Sequence, residues 1–186
     1  YEVFPIKKSE MFVIALDDTI NNYANISLLK SSTNNPNEAV LKYIIGNYIT
    51  TYESYNFNNI SNQLNVIKNN STKQIFKQFG EYMSLENNKS PLLLLQQDGI
   101  REIEIMFIDL SGEILKNSEE IIGEIATATA EVRFKAKVIN LRTKKTIESL
   151  WKAKLNILCT DIRKMLLSDS NQFKFIVTDY QIEQVK

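Results

Sequence analysis

No histidine occurs anywhere in the 186 residues. That absence excludes every Ser-His-Asp or Cys-His nucleophile system, every imidazole general base and every metal site that needs a histidine ligand. Cysteine is almost as scarce. Cys159 stands alone, so the chain cannot form an internal disulfide or build a cysteine-based zinc or iron–sulfur centre. Glycine (5) and proline (3) are few, and the glycines are scattered, which leaves no phosphate-cradling loop. Net charge is also missing: 22 Lys plus Arg balance 22 Asp plus Glu, so nothing draws the chain as a whole to nucleic acid or to an anionic membrane. The longest apolar runs, Met11 to Leu16 and Leu92 to Leu95, fall far short of the roughly 20 residues that span a bilayer.

What remains is the composition of a folded domain, with 44% apolar, 24% charged and 10% aromatic residues. The length suits one domain with a core large enough to dispense with disulfides and metals. The chain opens Tyr1-Glu2 rather than with methionine, so an upstream leader, anchor or further part is expected.

Met11 to Leu16, ending at Asp17-Asp18, reads as an N-terminal strand or arm, and residues 1–34 as arm plus linker. Asn35-Pro36 with Glu38 behind is a helix start: an Asn cap, Pro at the first position and an acid in the first turn. Val40, Leu41, Ile44, Ile45, Tyr48, Tyr52 and Tyr55 then recur at helical spacing to about Asn56. Shorter amphipathic helices are expected over 60–67 and 72–83, and Ser90-Pro91 starts an apolar turn that Asp98-Gly99 breaks.

After Gly99 the period changes from helical to alternating. Ile103, Ile105 and Phe107 alternate with acids; Val132, Phe134, Ala136 and Val138 alternate with charged residues; Trp151, Ala153, Leu155 and Ile157 alternate with Lys152, Lys154 and Asn156. A fourth strand is expected over Phe173 to Ile182. Helices followed by sequential strands with one solvated face predict an α+β fold with an antiparallel sheet, not a doubly wound parallel one. Residues 35–186 read as that single α+β domain.

Charge is segregated within the neutral total. Residues 81–124 hold ten acids against three bases, and residues 131–164 hold ten bases against three acids. One reading pairs Glu102 and Glu104 with Lys and Arg on a neighbouring strand, at about 0.2–1 kcal/mol per opposed pair. The other makes Arg133, Lys135, Lys137, Lys152 and Lys154 a basic docking surface for an acidic partner. No aromatics are interleaved there to stack nucleic-acid bases.

Catalytic constellations are weak. Asp17-Asp18 and Glu119-Glu120 lie in expected turns, and Ser71-Thr72 reads as a helix cap. The stripe Tyr48, Tyr52, Tyr55 suits either a core rim or a protein contact, because tyrosine buries area at low entropy cost and keeps a polar tip.

At this point the residues match a family pattern. Tyr48-Ile49-Thr50-Thr51-Tyr52-Glu53-Ser54-Tyr55 resembles the Tyr-Val-x-Ala-Arg-Glu-x-Tyr signature of the VirB-eight family, the inner-membrane assembly factor of bacterial type IV secretion systems. Asn70-Ser71-Thr72 is similar to its Ser-Ser helix start, Asn87-Asn88-Lys89-Ser90-Pro91 to its Asn-Pro-x-Ser-Pro, and Ala130-Glu131-Val132-Arg133-Phe134 to its Ala-x-Val-Arg-Phe strand. Phe175-Ile176-Val177-Thr178-Asp179-Tyr180 with Glu183 resembles its Phe-x-Val-x-x-Tyr ending. Two departures mark a divergent member: Tyr52 stands where the family usually has Arg, and the Asn-Pro-x-Gly loop appears as Asn171-Gln172-Phe173-Lys174.

The resemblance implies a nuclear-transport-factor-two-like (cystatin-like) cone, in which helices are followed by a curved four-stranded antiparallel sheet. It implies a periplasmic domain behind a single inner-membrane span, no catalysis, no metal and no cofactor. It further implies protein partners only, namely the chain itself as a weak homodimer and other subunits of the secretion channel. The interface candidates are Tyr48, Tyr52, Tyr55, Arg133, Asn171, Gln172, Phe173 and Lys174. The competing expectation is a small-molecule binder or isomerase-like enzyme, since the same cone elsewhere hosts active sites between sheet and helices. That would need a buried acid, and Asp109 and Asp161 are the strand-end acids in view.

Overall fold

The structure, a computed structural model, describes residues 36–116, 125–160 and 174–185. The expected arm over Met11 to Leu16, the Asn35 cap, Glu119-Glu120, Asp161 and the loop residues 171–173 lie outside the described residues.

Four helices come first: α1 (Pro36–Glu53), α2 (Ile60–Asn69), α3 (Lys73–Tyr82) and α4 (Pro91–Leu95). Four strands follow: β1 (Gly99–Ser111), β2 (Ile125–Asn140), β3 (Thr146–Thr160) and β4 (Phe175–Val185). They form one antiparallel sheet in the order β1-β2-β3-β4. The expected α+β class and helix-then-strand order are what the chain adopts.

Local chemistry explains the helix starts. Thr72 sits ahead of α3 in extended conformation, and its hydroxyl accepts from the Ile75 N–H. Ser90 does the same for α4, accepting from the Leu92 N–H, with Pro91 at the first position. α1 ends at Glu53, three residues earlier than its spacing predicts, because Tyr55 leaves the helix to exchange two backbone hydrogen bonds with Arg101 of β1, both 2.9 Å.

α1 packs on the inner face of β1 and β2. β2 presents Ala126, Ala128, Ala130, Val132, Phe134 and Ala136 inward, all buried. The small side chains leave room for the Ile and Tyr residues of the helix, so the two layers close into one core.

Strict alternation fails at two bulges. Between Ile105 and Phe107 of β1 an extra residue enters, so Met106 and Phe107 together oppose Arg133. Phe107, expected inside, is therefore on the outer face and 57% exposed, while Ile108 and Leu110 take the inward positions. In β4 the register shifts opposite Asn156 and Ile157, leaving Thr178 as the extra residue, its hydroxyl donating to the Asn156 carbonyl at 3.1 Å. The phase change turns Tyr180 inward where simple alternation from Phe175 and Val177 would have placed Asp179.

β1 closes with Gly112 at φ 125°, in the left-handed half of the backbone map, before a 3-10 turn over Glu113–Leu115. A Cβ at that glycine would meet the Thr127 carbonyl oxygen at 2.8 Å, so the close passage against β2 needs glycine.

Candidate functional site

On α1 the residues Leu41, Ile45 and Ile49 form a row at spacing four, each buried, and the next member of the row is Glu53, 2% exposed. The helix therefore drives a carboxylate into the core. Arg101 of β1 meets it there, with Nη2 3.2 Å from Oε2. Tyr180 of β4 donates its hydroxyl to Oε1 at 2.7 Å. Arg101 also donates from Nη1 to the Tyr82 hydroxyl at 2.6 Å, and its guanidinium lies over the Trp151 ring of β3, 5.4 Å from the centroid. One cluster thus joins α1, α3, β1, β3 and β4.

Burial pushes the Glu53 carboxyl above its usual range, against the downward pull of Arg101 and of the hydrogen bond from Tyr180. The Tyr180 and Tyr82 hydroxyls are held well above theirs, first by burial and then by the negative charge of Glu53. The cavity beside the cluster has about 120 Å³, too small for a drug-sized ligand. A larger groove of about 270 Å³ lies between α1 and α2, lined by uncharged side chains such as Asn47, Thr51, Asn62 and Asn70, with no carboxylate or amine to move a proton. Among the described residues no group of three His, Cys, Asp or Glu could hold a metal ion.

The three stripe tyrosines are inside. Tyr48, Tyr52 and Tyr55 are 3%, 2% and 1% exposed. Tyr52 stacks on Tyr180 with ring centroids 4.2 Å apart and meets Phe79 edge-on at 4.8 Å. Tyr48 shares a 2.7 Å hydrogen bond with the Ser71 hydroxyl, and Tyr55 donates to the Gln96 carbonyl at 2.7 Å. Their expected place at a partner interface is corrected to the core of the protomer, because all three rings are buried there and the hydroxyls of Tyr48 and Tyr55 are spent on internal partners. Arg133 is exposed on the outer face of β2. Lys174 is exposed just before β4, its backbone pairing with Thr160 through bonds of 3.0 and 2.9 Å. Asp109 is exposed on β1. It is therefore not the buried acid an enzyme reading requires.

Glu53 is the residue that sequence reasoning missed. The signal was present, since an acid continuing a row of aliphatics at spacing four points into the core. Its partner Arg101, 48 positions on, carried no such signal.

The outer face of the sheet carries ion pairs beside exposed apolar residues such as Leu150, Leu158 and Ile176. Glu104 lies 3.3 Å from Lys135, Glu102 4.0 Å from Lys137, and Glu148 3.9 Å from Lys135. These pairs follow directly from the register, as the cross-strand reading of the charge blocks expected. Glu131 accepts from Lys152 at 3.0 Å, and that bond, with the charge of Lys152, holds its carboxyl below the usual range.

Helices laid into a four-stranded antiparallel meander, with a buried ion pair committed to packing, define an α+β domain. Comparison with known proteins is more specific. The family model described as VirB8 protein matches residues 2–185, and the chain belongs to that family, a component of type IV secretion systems. It is similar to the type IV secretion system protein virB8 of Bartonella quintana (strain Toulouse), 29% identical over 87 residues, which is 47% of this chain and 37% of that relative's length. Its fold is that of Agrobacterium tumefaciens VirB8 (TM-score 0.61, 20% identity, covering 81% of this chain and 94% of that one). The TrwG component of the type IV secretion system from Bartonella birtlesii superposes similarly (TM-score 0.56, 16% identity, 79% and 92%).

Proposed function

We propose that the chain is the periplasmic domain of a non-enzymatic assembly subunit, anchored in the inner membrane by a preceding single span, that bridges the channel components of a type IV secretion system through protein–protein contacts. The observation that carries this reading is the family match over residues 2–185. The chemistry is compatible with it. The buried acid among the described residues, Glu53, is tied to Arg101 and Tyr180, so it is committed to holding five elements together rather than to abstracting a proton. Candidate contacts to partners or to a second copy are the exposed strand around Arg133 and the segment from Asn171 to Lys174, of which Lys174 is described and exposed.

Sedimentation equilibrium of the domain, alone and mixed with the periplasmic parts of the other secretion subunits, tests the reading. Reversible self-association or co-association is expected. A strict monomer that associates with none of them overturns it.

A further inference from the structure

The bulge in β1 leaves a feature that the fold does not require. Met106 and Phe107, consecutive and 58% and 57% exposed, stand together on the outer face opposite Arg133. A bulge on an edge strand is useful in itself, because it discourages edge-to-edge pairing between molecules. Charged side chains would serve that purpose better than a Met-Phe pair, so edge protection accounts for the bulge and not for its side chains.

The charges beside this apolar step are also unusual for the face. The row across the sheet reads Phe107, Arg133, Lys152, Glu183. Arg133 and Lys152 are thus directly opposed like charges, an arrangement that costs stability in a sheet. Lys135, Lys137 and Lys152 each have a carboxylate within 4.0 Å, whereas Arg133 and Lys154 have no ion pair of that length among the described residues. Glu131, the acid between them, is already taken by Lys152 and feels all three cations. The apolar step therefore borders Arg133, with Lys154 one strand further on opposite Glu131, and neither cation has a carboxylate at contact distance among the described residues.

Resting on the assembly-subunit reading above, we propose that the outer face around Phe107 and Arg133 docks an extended acidic segment of another polypeptide. An apolar side chain of that segment packs on Met106 and Phe107, and a carboxylate one or two residues away engages Arg133 and Lys154. Arginine presents a fork of donors matched to a carboxylate, and a partly exposed aromatic supplies the anchor area. Nucleic acid fits less well, because Asp109 and Glu131 share the face with the cations and a single aromatic gives no stacking run.

The test is an array of overlapping peptides covering the periplasmic parts of the other secretion subunits of the same organism. Beside them stand a random acidic–apolar peptide set, the same set with Asp and Glu replaced by Asn and Gln, and a thymidine oligonucleotide. The unmodified domain is expected to bind peptides that carry an acid next to an apolar residue, and to lose at least about tenfold in affinity with Arg133→Glu or Phe107→Ser. Both side chains are exposed, so unchanged thermal unfolding serves as the control for folding. Arg133→Glu should regain binding to a peptide whose acids are changed to Lys. Acidic–apolar binding from the random set alone upholds the surface and counts against the secretion-subunit reading. Subunit peptides that bind equally well to both variants overturn this surface and leave that reading intact. No preference for acidic–apolar over neutral peptides up to about 1 mM, or oligonucleotide binding with the same dependence on Arg133, overturns the proposal.

Discussion

Glu53 and Arg101, the last residue of α1 and the third of β1, face each other at 3.2 Å with their side chains 3% and 11% exposed. The contact is doubled by the backbone, since the Tyr55–Arg101 bridge brings the strand to the helix end two residues beyond the carboxylate. Tyr180 donates to the other carboxylate oxygen of Glu53, and the Tyr82 hydroxyl accepts from Nη1 of Arg101. Breaking such a pair from one side leaves the other group buried without its partner. Arg101→Met is expected to destabilise the domain by about 3–5 kcal/mol in urea unfolding, and Glu53→Leu combined with Arg101→Met by clearly less than either change alone.

The same carboxyl makes stability depend on pH. Burial raises its folded-state value above the unfolded one, so as pH falls the folded form takes up the proton first. Its contribution is complete below the unfolded carboxylate value, about 4.3, and shrinks as pH rises through the higher folded-state value. Glu53→Gln should flatten the stability curve on that side of pH 4.3. Arg101→Met should steepen it, because removing the cation raises the carboxyl further. Denaturant midpoints measured from pH 4 to 8 for the three proteins check both slopes.

Because Tyr52 packs on Tyr180, Phe79 and Tyr82 inside the protomer, Tyr52→Ala should act on folding rather than on association. A loss of about 3–5 kcal/mol is expected, with no change in self-association that survives correction for the unfolded fraction. Urea melts paired with sedimentation equilibrium distinguish the two effects.

Gly112→Ala forces a side chain into φ 125° and against the Thr127 carbonyl. A destabilisation of more than about 1 kcal/mol is expected by thermal unfolding. Gly80, where an added Cβ meets nothing within 4 Å and the residue is helical, should gain stability as Gly80→Ala by about 0.4–1 kcal/mol in the same assay.

The outer-face pairs should matter little by comparison. Glu104→Gln removes the 3.3 Å contact with Lys135, both groups lying at the surface, and is expected to cost less than about 1 kcal/mol, falling further in high salt. Thermal unfolding at low and high ionic strength measures it.

Much of this architecture was legible in the chain. Pro36, Thr72 and Ser90-Pro91 marked helix starts through local hydrogen bonding and a pre-set φ, and the switch of period at Gly99 marked the passage from helices to sheet. The cross-strand pairing of Glu102 and Glu104 with lysines followed from alternation plus charge. These signals act over a few residues, so they survive without knowledge of the fold. Periodicity went astray where one extra residue reverses the face. Phe107 reads as inward and Asp109 shares its phase, but the bulge sends both out.

By itself, the sequence determined the class: an absence of histidine and paired cysteine that removes whole chemistries, an apolar helix face, and strands with one polar side in antiparallel succession. The tertiary structure alone decided what the inward polar groups meet. Whether the Tyr48–Tyr52–Tyr55 stripe meets a partner or the core, and whether Glu53 finds a cation, depends on the register of β1 and β4 against their neighbours. That register is set by pairings between residues tens of positions apart, whose free energy no local pattern encodes.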